Sequence, residues 1–231
     1  MYSKKETEQQ PKTEYQIGVC VKETNNDNGP GHVTALLIKK KAGVTRIHTT
    51  SYYPSAFGSI INGLSLGSIP VPGQLAQDHV QDVQEANHVL VSDVPKEQFK
   101  KAKEGHTEFS EDVKRGRRFY SVFGTANPLA KGCKKLAQGA RGAELVVQKH
   151  IKETGFHPPE DMCGIHVYDN DHPTVPKLRV DNCASSVTHI LRRAGYDFDN
   201  PTVPTFFTKE LERHGFSKVD KDAFVKEHCN I

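Results

Sequence analysis

Apolar and polar residues alternate from Tyr15, with Ile17, Val19 and Val21 set against Gln16, Gly18, Cys20 and Lys22, which is the two-residue period of a β-strand. The turn-rich segment Asn25-Asn-Asp-Asn-Gly-Pro-Gly31 follows and delivers His32 to the start of a second, more apolar strand over 33–39. Lys40-Lys-Ala-Gly43 can turn the chain back into a third strand from 44 to about 50. Connections this short join antiparallel neighbours, so the first 50 residues predict an antiparallel meander.

The remainder adds helices to that sheet. Segment 74–88 reads as a helix. A second begins at Lys96 after Pro95 at the first helical position and stops at Gly105; a short strand at 89–91 lies between the two. Residues 117–124 read as a strand, 134 to about 154 as a helix with a break near 139–142, and 162–168 as a strand inside a proline-rich stretch. Helices then follow from Pro204 to Gly215 and from Lys221 to His228. The pattern predicts an α+β fold with an antiparallel sheet. Residues 1–14 form a polar tail, and 15–231 form one domain with an inserted helical region at about 125–180. Segment 54–74 is rich in glycine and proline yet holds Ile60, Ile61, Leu64, Leu66, Ile69 and Val71, so it is either a buried Ω-like loop or a lip facing lipid or substrate.

A chain of 231 residues with 35% apolar and 26% charged residues suits a globular domain that needs no staples. Its formal charge of +3 is too small to argue for nucleic acid, and no stretch has the apolar length of a membrane span. The first ten residues lack the apolar core of a secretory signal peptide. Cysteines 20, 133, 163, 183 and 229 are odd in number and scattered, as free thiols in a reducing compartment are.

Segment 180–195 is the most informative for chemistry. After Cys183, Ala184, Val187, Ile190, Leu191 and Ala194 recur along one helical face; Asp181 or Asn182 can cap its start and Gly195 ends it. The thiol therefore opens a helix, where free N–H groups and the helix dipole favour thiolate; the alternative is a small buried packing residue.

A histidine opening a strand in Gly29-Pro-Gly-His-Val-Thr-Ala-Leu-Leu-Ile38, then a cysteine opening a helix in Asp181-Asn-Cys-Ala-Ser-Ser-Val187, is a combination that resembles the circularly permuted NlpC/P60 papain-like superfamily, which includes lecithin:retinol acyltransferase-like and related bacterial proteins. The intervening Val94-Pro-Lys-Glu-Gln98 and Tyr120-Ser121 are similar too, and the resemblance covers roughly residues 15–195. It implies a permuted papain-like architecture with Cys183 as nucleophile, His32 as general base and a third polar residue on the next strand. His48 matches the acyltransferase branch at that place. A tight hairpin turning on Lys41-Ala42, however, sets Thr49 or Ser51 on the face of His32 and His48 on the opposite one, whereas a bulge restores His48; Thr50 and Ser51 stand behind it. Asn182 either caps the helix or assists an oxyanion hole.

The chemistry so implied is a thiol-dependent hydrolase or acyltransferase acting on a peptide, amide or lipid acyl group through a thioester, with Cys183 and His32 resting partly as thiolate and imidazolium. The alternative is an inactive papain-like module that binds a host protein. Similarity to translocated bacterial effectors implies secretion without a classical signal peptide into host cytoplasm, or otherwise a bacterial cytoplasmic protein. No cofactor, metal or nucleic acid is called for. Two weaker patterns are a zinc site among His157, Cys163, His166, Asp171 and His172, and the basic run Lys114-Arg-Gly-Arg-Arg118, which reads first as a solvated face.

Overall fold

The computed structural model describes residues 13–127 apart from 28 and 66, 151–155, and 179–229 apart from 202. In chain order the elements are β1 (Glu14–Lys22), β2 (His32–Lys41), β3 (Val44–Thr50), β4 (Tyr52–Pro54), α1 (Ala56–Leu64), β5 (Val71–Leu75), α2 (Val80–Glu85), β6 (His88–Asp93), α3 (Lys96–Lys114), β7 (Arg118–Tyr120), β8 (Arg179–Asp181), α4 (Cys183–Arg193), α5 (Phe207–Arg213), β9 (Ser217–Val219) and α6 (Lys221–His228).

The meander forms as its alternation predicts. Lys41 pairs with Val44 across a two-residue turn in which Ala42 and Gly43 both have positive φ, 49° and 77°, as in the tight turns that match strand twist. The full sheet runs β3-β2-β1-β6-β9 with every neighbour antiparallel. Alternate residues of β1 and β2 then supply two cores. Ile17, Val19, Val33, Ala35 and Leu37 pack beneath α3, α4 and α5; Cys20, Leu36 and Ile38 pack beneath α2 and α6. A second sheet, β4-β5-β7-β8, ends in a parallel β7–β8 pair and packs Tyr52, Val71 and Tyr120 against Phe109 of α3. Ser51 is the single residue between the two sheets. The chain is thus a mixed α+β protein, and among the described residues no helix is long and apolar enough to cross a membrane.

Several boundaries differ from expectation. Segment 54–74 is no loop: Ser55 accepts the Gly58 N–H at 3.2 Å and caps α1, and β5 follows. Gly58 and Gly63 weaken the helical signal there, but Val71 approaches so closely that a Cβ on Gly58 would lie 2.9 Å from it. The helix expected at 74–88 shrinks to α2, since Val71–Leu75 is paired as β5. The strand at 117–124 is only β7, followed by a 3-10 turn at Gly124–Ala126. The helix from Lys96, with Pro95 as its N-cap, does not stop at Gly105 but continues to Lys114. There the glycine serves packing: a Cβ on it would lie 2.8 Å from Arg193 Cβ, so its absence lets α3 and α4 approach. Residues 151–154 are helical; the rest of 134–154, the strand at 162–168, the tail residues 1–12, Cys133 and the group His157, Cys163, His166, Asp171 and His172 lie outside the described residues.

In an exposed helix Gly→Ala stabilises by about 1 kcal/mol. Gly105→Ala should instead lower the unfolding free energy by about 1–3 kcal/mol in urea titrations, because the added methyl forces α3 from α4; a rise in stability would show that the contact yields.

Candidate active site

The start of α4 is held on three sides. Asn182 Oδ1 accepts the Ser185 N–H at 2.8 Å while Ser185 Oγ accepts the Asn182 N–H at 2.9 Å, a reciprocal capping box. Ser185 Oγ donates onward to Asp181 Oδ1 at 2.9 Å, and Asp181 Oδ2 accepts from Arg118 Nη1 at 2.8 Å. Arg118 is 3% exposed, also donates from Nε to Asp112 at 3.2 Å, and lies 4.1 Å over the Phe109 ring. A buried charge needs such paired, hydrogen-bonded partners. The basic run at 114–118 is therefore no uniform solvated face: Arg118 is internal, Arg117 pairs with Asp112 at 2.6 Å and Arg115 with Glu111 at 3.2 Å. Asn182 Nδ2 donates to the Val122 carbonyl at 3.0 Å, so its amide both caps α4 and ties the helix start to the segment after β7.

This clamp presents Cys183 at the first position of α4, 4% exposed. Pairing between β2 and β3 ends at Ala35 and Thr50, which leaves the Val33 N–H to the thiol. The Cys183 and Ala184 N–H groups also favour the thiolate, and the Tyr120 hydroxyl bonds to the sulfur. Burial outweighs these donors and pushes the thiol up to about 11.

His32 occupies the adjoining position on β2. Its Nε2 lies 2.8 Å from Ser51 Oγ, and its ring stacks on Tyr53 at 4.0 Å between centroids and 10° between planes. Ser51 Oγ is 3.0 Å from Thr34 Oγ1, which donates to Asp82 Oδ2 at 2.9 Å; the Tyr53 hydroxyl donates to Asp82 Oδ1 at 2.5 Å. Asp82 Oδ1 itself is 4.0 Å from His32 Nε2. Burial lowers His32 to about 4, against the opposing pull of Asp82. Burial thus favours the neutral form of each group, against the thiolate and imidazolium form. Among the described residues no hydrogen bond joins Cys183 to His32. The link between them runs through the backbone: the Val33 N–H that bonds the thiol is next in sequence to His32.

His48 does not join them. It pairs with Leu37, five residues from His32, and an odd separation turns it to the opposite face, where its ring lies 5.8 Å from His106. The turn falls at Ala42–Gly43, one residue later than a turn on Lys41-Ala42, and the parity is the same; Ser51 takes the place beside His32. Thr50 is on the face of His48, 2.7 Å from His106 Nδ1. Asp82 and Tyr53 carry no motif, and the aspartate in particular comes from a helix 50 residues away in sequence. A lone acidic residue at a short helix start is the only sequence signal that points to it.

His32 and His106 are both lowered to about 4, each chiefly by burial. Since the folded protein binds these protons less readily than the unfolded chain, their contribution to stability is complete above pH 6.5 and is lost as pH falls from 6.5 to 4. For His32 the loss is at most about 3 kcal/mol. Urea unfolding at pH 7 and pH 4.5 should show a smaller acid loss in His32→Gln than in wild type; equal losses would mean that His32 protonates freely in the folded protein.

No protein-family model matches the chain, and neither a curated protein nor a solved structure does.

Proposed function

We propose that the protein is a cysteine hydrolase or acyltransferase with Cys183 as nucleophile, His32 as general base and Ser51 as the residue that orients the imidazole. The observation that supports this reading is a thiol at a helix start bonded by the Val33 N–H, with Val33 next in sequence to a histidine whose Nε2 lies 2.8 Å from Ser51 Oγ. In this reading His32 Nδ1 takes the thiol proton as the sulfur attacks an acyl carbonyl. The acyl–leaving-group bond breaks as His32 returns that proton to the leaving group, and a thioester remains on Cys183. Water then regenerates the enzyme, or a second nucleophile accepts the acyl group. In this reading the Cys183 backbone N–H at the start of α4 supports the oxyanion. Thiol and imidazole are not bonded at rest, and catalytic hydrogen bonds of this kind commonly tighten only with substrate. The exposed Phe57, Ile60 and Leu64 of α1, which packs on β4 and β5, suit an acyl group with an apolar portion.

The second reading, a module that binds without turnover, draws on the burial of the thiol and its high pKa. Alkylation of each cysteine by iodoacetamide, followed by mass spectrometry from pH 3 to 9, separates the two. Catalytic competence predicts that Cys183 reacts faster than the buried Cys20 and Cys229, that its rate rises as His32 deprotonates near pH 4, and that His32→Ala slows it at least about tenfold. Rates at Cys183 that are indifferent to His32 would leave the binding module standing.

A further inference from the structure

We infer that Asp82 is a positioning residue that sets the tautomer of His32 through a one-way chain of hydroxyl groups. This rests on the reading of His32 as general base for its catalytic meaning, but the chain itself rests on hydrogen-bond geometry alone. A hydroxyl has one proton, which rotates to suit its surroundings, and an ionised carboxylate only accepts. Asp82 accepts from Thr34 Oγ1 at 2.9 Å and from the Tyr53 hydroxyl at 2.5 Å, and so consumes the single proton of each. Ser51 Oγ lies 3.0 Å from Thr34 Oγ1. Thr34 has no proton left for it, so Ser51 gives its own proton to Thr34 Oγ1. That leaves Ser51 Oγ as an acceptor towards His32 Nε2, 2.8 Å away. Were Ser51 to donate to Nε2 instead, it would face Thr34 Oγ1 at 3.0 Å with no proton between. His32 is therefore held as the Nε2–H tautomer with its lone pair on Nδ1.

The carboxylate works at a distance of two hydroxyls. It is 7% exposed and stands in the first turn of α2, on the other side of the sheet from α4. The Tyr53 ring, stacked flat on the imidazole, fixes its plane while its hydroxyl reports the charge of Asp82. Orientation and tautomer are thus set by one tyrosine and one aspartate together.

The test is long-range 15N–1H NMR on the full chain labelled at histidine nitrogen, with the His32 signals assigned by their loss in His32→Gln, run beside the alkylation of Cys183 at pH 7. Wild type is expected as Nε2–H. Thr34→Val/Tyr53→Phe leaves the Ser51 proton only His32 Nε2 to bond and should convert the ring to Nδ1–H. Asp82→Leu removes the acceptor and should give a mixture of tautomers. Both should slow Cys183 alkylation at least about tenfold. A wild-type Nδ1–H ring, or a Nε2–H ring retained in the double variant, would overturn the inference. A tautomer change with alkylation that never depended on His32 would uphold the relay and sink the catalytic reading instead.

Discussion

Because side chains alternate along a strand, the pairing of Lys41 with Val44 across the Ala42–Gly43 turn assigns every residue of β2 and β3 to one face or the other. Val33, Ala35 and Leu37 go to the core beneath α4, while His32 and Thr34 go towards Asp82. Ser51 follows them by the same parity, and His48 is sent to the far face with His106. A slip of one residue would exchange these sets, burying Thr34 against apolar helices and removing every partner from the imidazole. The identity of the site is therefore a matter of register before it is a matter of chemistry.

The second requirement is a fixed place for the thiol. Arg118, Asp181 and Ser185 form a buried chain from β7 through β8 into the first turn of α4, and Asp112 ties the same guanidinium to α3. Removing one member of such a chain leaves a buried charge without its partner, which costs about 3–5 kcal/mol. The parallel β7–β8 pair brings Arg118 and Asp181 together from opposite ends of a long stretch of chain. The position of Cys183 is thereby set by a buried chain that does not include the thiol itself.

Much of this was legible in the amino-acid sequence. Period-two alternation located β1, the apolar run after a turn-rich loop located β2, and the spacing after Cys183 located α4 with its cap narrowed to Asp181 or Asn182. Ser51 was within reach of a parity count on the hairpin. What resisted reading had physical causes. The glycines of α1 lower its helical signal, and Gly105 looks like a stop because its packing role depends on Arg193, which is 88 positions away. Asp82 and Tyr53 belong to no pattern, for their role arises only when β4 and α2 meet over β2.

α2 has six residues, no side-chain cap at His79, and one fully buried apolar side chain, Val83. Lys221 of α6 holds its end through the Gln84 and Ala86 carbonyls at 3.2 Å. So small an element can open while the sheet and α4 stay folded, since local openings cost less than global unfolding where few apolar contacts hold a segment. Each such opening withdraws the carboxylate from Thr34 and Tyr53 and releases the protons it had ordered. If the relay inferred above holds, the order of the imidazole follows the state of α2 and, through Lys221, of α6, in a molecule that is otherwise native.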